Sequence, residues 1–169
     1  MPNWCNNYVE FSCSRELYNK YNVGAFQFCN LLPCPPELLE RSAPNSDDPE
    51  EMRAKYEHPD WYDWCVCKWG CKWDIEEATP SLDDSHSSEV VSGSIAFDTA
   101  WSPPIELYRH MESLGFQIDA MYFEGGMAFY GFYHDGSEDT QNFSNYDDIP
   151  ENVATTFGID EECYEECED

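Results

Sequence analysis

The sequence predicts an α+β domain in which helices pack on one face of an antiparallel sheet. Short segments with alternating apolar residues, typical of half-buried strands, are separated by segments with the 3.6-residue spacing of helices. Aromatic residues make up 16% of the 169-residue chain, which is enough to build a sizeable core. No internal repeat of fixed period is present, so the alternating elements themselves predict the class.

The N-terminal part begins with one predicted strand and one short helix. Residues 7–12 place Val9 and Phe11 on the same face of a strand. Residues 15–21 have helical character, and Ser14 stands where an N-cap is expected.

A long insert with short helices is predicted next. Residues 25–32 are apolar and end at a proline-rich break, and one helical turn is expected at residues 37–41. Residues 42–49 have the composition of a loop, and residues 50–57 that of a helix.

The stretch from residue 60 to residue 74 contains four of the six tryptophans. Trp61, Trp64 and Cys65 have the i, i+3, i+4 spacing of one helical face, and Gly70 is a plausible end for that helix. We expect a core-forming corner in which the tryptophans, Trp64 and Trp73 in particular, are structural.

The rest of the predicted domain alternates strands and one helix. The segments, in the order strand, strand, helix, strand, strand, are residues 73–78, 89–99, 105–114, 117–124 and 127–134. A polar hairpin loop is expected between the first two strands, and Ser102 is expected to cap the helix. Gly115 should end that helix, and Gly125-Gly126 should form a tight turn between the last two strands.

The apolar pattern thins after Gly136, which predicts a domain boundary. Residues 1–136 are expected to form the α+β domain, and residues 137–169 an acidic C-terminal extension that is peripheral to it. A short helix is expected at residues 151–157. Residues 159–169 carry like charges at i, i+4, so a helix there requires a partner or low pH.

Four motifs together resemble a known family. They are Met1-Pro2-Asn3-Trp4-Cys5-Asn6-Asn7, the W-C-x-x-x-W-G-x-K-W core of residues 61–73, Phe97-Asp98-Thr99-Ala100-Trp101-Ser102-Pro103-Pro104, and Tyr122-x-Glu124-x-Gly126 followed by Phe129 and Gly131. Over roughly residues 1 to 136 the chain is similar to the YubB-like family of bacteriophage and conjugative-plasmid proteins. The resemblance implies a ferredoxin-like domain and a mobile-element origin, and it supplies no catalytic residues. The present chain departs from the family pattern at Cys67, at Cys71 and in its acidic tail.

The charge balance is the strongest compositional signal. Thirty-five acidic residues face eight basic ones, which gives a formal net charge of −27 and a pI near 4.1. From His110 to Asp169 there are sixteen acidic residues and no Lys or Arg. Such a chain should be repelled by nucleic acid and by anionic membranes, and attracted to basic proteins. Without a signal peptide or a long apolar segment, we expect a cytoplasmic protein of the host cell.

The first functional hypothesis is a non-enzymatic interaction protein without a cofactor. It would bind and inhibit a basic host or defence protein that itself binds nucleic acid, either by imitating nucleic acid or through a generic acidic surface. The predicted partner-binding carboxylates are Asp135, Glu138, Asp139, Asp147, Asp148, Glu151, Asp160, Glu161, Glu162, Glu165 and Glu166.

The second hypothesis is a small-ligand binder or an enzyme with an aromatic pocket. The pocket would be lined by Trp69, Trp73, Trp101 and Tyr122. A zinc ion would be held by four thiolates, those of Cys67, Cys71, Cys163 and Cys167. The other cysteines of the N-terminal part are expected in the core: Cys5, Cys13, Cys29 and Cys34.

Overall fold

The computed structural model describes residues 3–41, 50–83 and 89–161. They form a mixed α+β structure around one open, antiparallel sheet of six strands, which confirms the predicted class. The strands are β1 (Trp4–Ser14), β2 (Ser81–Leu82), β3 (Val90–Ala100), β4 (Gln117–Glu124), β5 (Phe129–His134) and β6 (Ser137–Asn142). Their order across the sheet is β2-β3-β1-β4-β5-β6.

Seven α-helices accompany the sheet in the described residues. They are α1 (Arg15–Lys20), α2 (Phe28–Leu31), α3 (Pro36–Leu39), α4 (Glu50–Tyr56), α5 (Trp61–Lys68), α6 (Ile105–Leu114) and α7 (Glu151–Phe157). Two of the predicted helix boundaries are confirmed: the Ser14 hydroxyl accepts the Leu17 N–H at 3.2 Å, and Gly115 ends α6 with φ +105°. Within the described part of the chain, no helix has the length and apolarity needed to cross a lipid bilayer.

The central strand β1 sets the two faces of the sheet. It pairs with β3 over eleven residues and with β4 over seven, so its side chains alternate between the faces along its length. The odd-numbered residues, among them Val9 and Phe11, are buried under the helices. The even-numbered residues, among them Tyr8 and Glu10, lie on the opposite face. This alternation explains the apolar pattern that predicted the strand.

Aromatic rings join the insert to the helix-covered face. Phe28 contacts Trp69 and Phe97 with ring centroids 5.7 and 5.6 Å apart, and Trp64 meets Trp69 edge-on at 5.5 Å. The indole N–H of Trp69 donates to the Leu32 carbonyl at 2.9 Å. The stretch that contains Trp64 and Trp69 is therefore a core-forming corner, as its spacing predicted.

A second apolar cluster lies on the opposite face of the sheet. It consists of Phe123, Phe143, Ile149, Val153 and Ala154. Phe123 stacks on Phe143 with centroids 5.4 Å apart and on Phe157 of α7 at 6.2 Å. Helices therefore cover parts of both faces rather than one. Residues 137–142 form the edge strand β6, and residues further along the predicted extension belong to the second cluster, so the described part of the extension is packed against the sheet.

A buried polar network fixes the end of the sheet nearest the tryptophan-rich corner. The side-chain amide of Asn7 donates to the Cys5 carbonyl at 2.8 Å and to the Thr99 hydroxyl at 2.9 Å. The Tyr108 hydroxyl donates to the Asn7 side-chain carbonyl at 3.1 Å, which connects α6 to β1. Thr99 donates to the carbonyl of Ser102, which holds the turn after β3.

Several predicted elements differ from the structure. Residues 73–77 are irregular, and the strand expected there is the two-residue β2, displaced into the predicted loop. The Asp74 carboxylate explains the difference, because it accepts the N–H groups of Phe28 and Cys29 and so fixes the chain near α2 instead of in the sheet. Trp73 is 39% exposed and Cys29 is also exposed, so the expectation that both are core residues was wrong.

Two turns also differ from the sequence prediction. The turn between β4 and β5 spans four residues rather than two, because the buried Glu124 carboxylate accepts the N–H groups of Gly126 and Met127 at 2.9 and 2.5 Å. Ser102 does not cap α6, which begins at Ile105; its hydroxyl donates to the Gly70 carbonyl at 2.7 Å. That hydrogen bond joins the turn after β3 to the tryptophan-rich corner.

Alanine replacement of Trp64 and of Trp73 should show different losses of stability for a buried and a partly exposed indole. Trp64→Ala should lower the free energy of unfolding by ~3–5 kcal/mol, because Trp64 is 5% exposed and packs on Trp69. Trp73→Ala should cost about 1 kcal/mol, less than Trp64→Ala, since Trp73 is 39% exposed and lies outside the buried core cluster. Chemical denaturation followed by circular dichroism measures both. Equal losses in the two variants would contradict this assignment.

Replacement of Phe143 tests the predicted boundary at Gly136. Phe143 is 4% exposed and stacks on Phe123 of the sheet, so Phe143→Ala should cost ~3–5 kcal/mol of global stability. A peripheral extension predicts no change in the main unfolding transition. The matched control is Phe157→Ala, whose ring is only partly buried and should cost less.

Candidate partner-binding surface

The predicted carboxylates divide between two faces at the edge strand β6. All six residues of β6 are exposed, and the register with β5 decides which way each side chain lies. Glu138 is paired with Tyr133 and lies on the α6 side, whereas Asp139 is paired with Phe132 and lies on the opposite side. Asp135 occupies the turn that joins the strands, with φ +46°. One short strand therefore presents negative charge on both faces and at its turn.

One basic side chain reaches this group of carboxylates. Arg109 of α6 lies 2.5 Å from a carboxylate oxygen of Glu106 and 3.4 Å from one of Glu138. These ion pairs are solvent-exposed, so each contributes little to stability. Asp139 accepts a hydrogen bond from the Gln141 amide at 2.7 Å. The charge of β6 is therefore only partly offset within the described part of the chain.

The remaining described carboxylates lie on the segment that leads into α7. Asp147, Glu151 and Asp160 line a shallow depression of about 570 Å³ beside that helix, and Glu161 is exposed just beyond it. Asp148 has a structural role. Its carboxylate accepts the backbone N–H groups of Ser144 and Asn145, and these hydrogen bonds lower its pKa. Glu162, Glu165 and Glu166 lie outside the described residues.

A second acidic row, which the sequence analysis missed, crosses the open face of the sheet. Glu10 of β1 is directly opposite Asp119 of β4, and Asp119 is directly opposite His134 of β5. Asp98 lies on the same face and accepts the Asn6 side-chain amide at 2.7 Å. The signal was present in the outward-facing positions of the strands, but only the register brings those positions from three strands together.

His134 is the titratable basic member of this row. Its ring nitrogen Nδ1 contacts a carboxylate oxygen of Asp119, and this contact raises the pKa of the imidazole above its ordinary value of 6.5. Like charges directly opposite each other in a sheet are destabilising, as Glu10 and Asp119 are here. Protonated His134 relieves part of that repulsion.

The alternative aromatic pocket is not assembled. Trp69 and Tyr122 are buried, and the Tyr122 hydroxyl is hydrogen-bonded to Thr140 at 2.7 Å. Trp73 and Trp101 are 39% and 47% exposed. Of these four aromatics only Trp101 lines the groove that β6, through Glu138, Thr140 and Asn142, forms with the start of α6.

The predicted zinc ligands are not assembled within the described residues either. Cys67 is exposed, whereas Cys71 is buried and its thiol donates to the Trp73 carbonyl at 3.4 Å. Cys163 and Cys167 lie outside the described residues. Among the residues that the structure does describe, no group of three or more His, Cys, Asp or Glu side chains is arranged to hold a metal ion.

The buried thiols are unsuited to nucleophilic chemistry at neutral pH. Burial raises the pKa of Cys34 to about 11 and that of Cys71 to about 12, and it raises the pKa of Cys5 and Cys65 further. A thiol with so high a pKa is almost entirely protonated at neutral pH, and the thiolate is the nucleophile.

No protein-family model, curated protein or solved structure matches this chain.

The His134–Asp119 contact predicts a defined pH dependence. Because the folded-state pKa of His134 is raised, the pair contributes its full stability below about pH 6.5, the ordinary value for the unfolded chain. That contribution disappears as the pH rises through the folded-state pKa. Titration of the imidazole by NMR should give a pKa above 6.5, and Asp119→Asn should lower it. A pKa at or below 6.5 in the unmodified protein would exclude the pair.

Proposed function

We propose that this chain is a non-enzymatic protein that binds a basic partner through the carboxylates of β6 and of the segment through α7. The observation that carries the proposal is the concentration of exposed acidic side chains on β6 and the segment through α7, where no Lys or Arg occurs. All eight Lys and Arg residues lie between Arg15 and Arg109. Because so uneven a charge costs stability by self-repulsion, a cationic partner that relieves it is favoured.

The partner class that fits best is a protein that binds nucleic acid. Lys and Arg side chains that neutralise phosphates can also bind carboxylates whose spacing is similar to that of the phosphates. In this chain a strand and a helix hold the carboxylates in place. Binding there would block the natural ligand, which is inhibition by competition. The proposed setting is the cytoplasm of a host cell, where a mobile element would gain from blocking a defence or regulatory protein.

We also infer that the core of the sheet has the ferredoxin-like arrangement. In support, β3, α6 and β4 form a split β-α-β unit around β1. The order β2-β3-β1-β4 is that of such folds, with β2 reduced to two residues and β5 and β6 added at one edge. This arrangement agrees with the resemblance to the YubB-like family, and we propose a phage or plasmid origin on the same basis.

The alternative of a small-ligand binder or enzyme is the weaker proposal. Its four aromatic side chains face different surroundings, and two of its four proposed zinc ligands, Cys67 and Cys71, differ in exposure. The buried thiols have raised pKa values that oppose their use as nucleophiles. No arrangement in the described residues favours a particular reaction.

The test is a binding titration against two sets of purified cationic proteins. One set binds DNA or RNA, and the other consists of cationic proteins without a nucleic-acid site, such as lysozyme and cytochrome c. We expect preference for the first set, an affinity that falls more than about tenfold from low to high salt, and competition by DNA or RNA. Equal binding to both sets would reduce the proposal to a generic acidic surface, and no binding to either would exclude it.

Charge replacement locates the surface. Asp147→Asn with Glu151→Gln should weaken binding by about 0.4–2 kcal/mol, mainly through a slower association rate. Asp148 is left unchanged because its carboxylate holds a turn. The matched control is Glu76→Gln with Glu77→Gln, which removes the same charge from exposed positions elsewhere. Equal effects of the two double variants would contradict a specific surface.

A further inference from the structure

We propose that β6 and the groove beside it bind an extended segment of the basic partner, which adds to the sheet as a seventh strand. The inference rests on the proposed function, because it states how a basic partner is held. β6 is the last strand of the sheet in the described part of the chain, and all six of its residues are exposed. An edge strand leaves backbone N–H and C=O groups without a partner in the sheet, and extended peptides bind such edges.

The charge of the edge selects the occupant. β6 carries Glu138 and Asp139 and no basic residue, and Asp135 lies in the turn before it. A second copy of this chain would bring a second set of carboxylates to the same edge, which is unfavourable for like charges on adjacent strands. A strand with basic side chains at the same positions would be attracted. The edge is therefore complementary to a basic segment of another protein.

A groove of about 810 Å³ runs along the α6 side of this edge. Glu138, Thr140 and Asn142 form one wall, and the turn after β3 with the start of α6 forms the other. The groove is open because α6 packs over β5, where Tyr108 contacts Tyr133, while the sheet continues to β6, which the Arg109 side chain of α6 reaches through Glu138. Side chains of an added strand that lie on the α6 side would enter this groove.

Three exposed apolar side chains line the groove. Trp101 is 47% exposed, Met127 is 64% exposed and Val66 is 42% exposed. Trp101 has φ +73°, a left-handed conformation that is unfavourable for a bulky residue, and its N–H donates to the Asn3 carbonyl at 3.0 Å. The backbone around Trp101 therefore holds a large aromatic ring at the mouth of the groove instead of in the core.

The side-chain pattern along β6 predicts the pattern of the bound segment. Arg109 approaches Glu106 more closely than Glu138, at 2.5 against 3.4 Å, which leaves Glu138 able to accept a second cation. We expect basic residues opposite Glu138 and Asp139. Opposite Thr140 and Asn142, where the added side chains enter the groove, we expect apolar residues. From its N-terminus to its C-terminus, an antiparallel segment of this kind has the pattern apolar, any residue, apolar, basic, basic, which faces residues 142 to 138 of β6 in turn.

Synthetic peptides test the inference directly. The probe is Thr-Ile-Thr-Leu-Lys-Lys-Thr, and a control peptide has both apolar residues replaced by threonine. Two further versions are N-methylated at alternate residues, one at the odd and one at the even positions, which removes backbone donors on one side of the strand. We expect one of the two methylated versions, and the control peptide, to bind at least about tenfold more weakly than the probe by calorimetry.

Two variants of the protein report on the groove. Trp101→Gly removes the ring and allows the left-handed backbone without strain, so stability should be kept while probe affinity falls at least about fivefold. Met127→Ser is a second variant at an exposed position. Leu39→Ser is the matched control, because Leu39 is 56% exposed and does not line the groove. Amide resonances of β6 should shift on addition of the probe.

The outcomes separate this inference from the proposed function. Salt-dependent binding that needs backbone donors and Trp101 supports both. Binding of the probe, the threonine control and both methylated peptides with equal affinity would overturn the seventh-strand inference and leave the acidic surface as the site. Failure of all peptides to bind, together with failure of the basic proteins above, would overturn both.

Discussion

The buried side-chain amide of Asn7 is the constraint on which the end of the sheet beside the tryptophan-rich corner depends. It joins β1 to Thr99 of β3 and to Tyr108 of α6, in surroundings where an unsatisfied polar group would be costly. Thr99 in turn donates to the carbonyl of Ser102, and the Ser102 hydroxyl donates to the Gly70 carbonyl. Because these hydrogen bonds fix the turn after β3 between sheet and insert, the residue inside that turn, Trp101, lies at the surface.

The helices cover fewer strands than the sheet contains, and the uncovered strands form the exposed edge, groove and acidic row. The sheet has six strands, whereas α6 packs above β5 and leaves the residues of β6 exposed, with Arg109 reaching Glu138 across the gap. On the opposite face α7 covers the end of β4 through Phe123 and Phe157, and the outward-facing residues of β1 remain open. The result is an edge strand with solvent on its outer side, a groove on one face and an acidic row on the other.

The fold tolerates its charge because the acidic side chains lie where water can solvate them. The described predicted carboxylates of β6 and α7 are exposed, and the buried Glu124 is satisfied by two backbone N–H groups. Among the described ion pairs of Lys and Arg, that of Arg109 with Glu138 is the one at β6, so the charge of this edge is only partly offset. The molecule is thereby left with one strongly acidic edge and an apolar groove beside it.

The sequence by itself determined the fold class, most helix boundaries and the sign of the charge, because these depend on local spacing and composition. Ser14 and Gly115 act through neighbouring backbone groups, so their roles were readable from order alone. Tertiary structure decided what depends on register and on distant partners. The polar segment 137–142 forms a strand only because β5 offers it an edge, and Glu10 meets Asp119 only through strand pairing. The exposure of Trp73 was also decided by the tertiary structure. The neighbouring Asp74 accepts the backbone N–H of Cys29, 45 residues away, and this contact directs the chain out of the sheet.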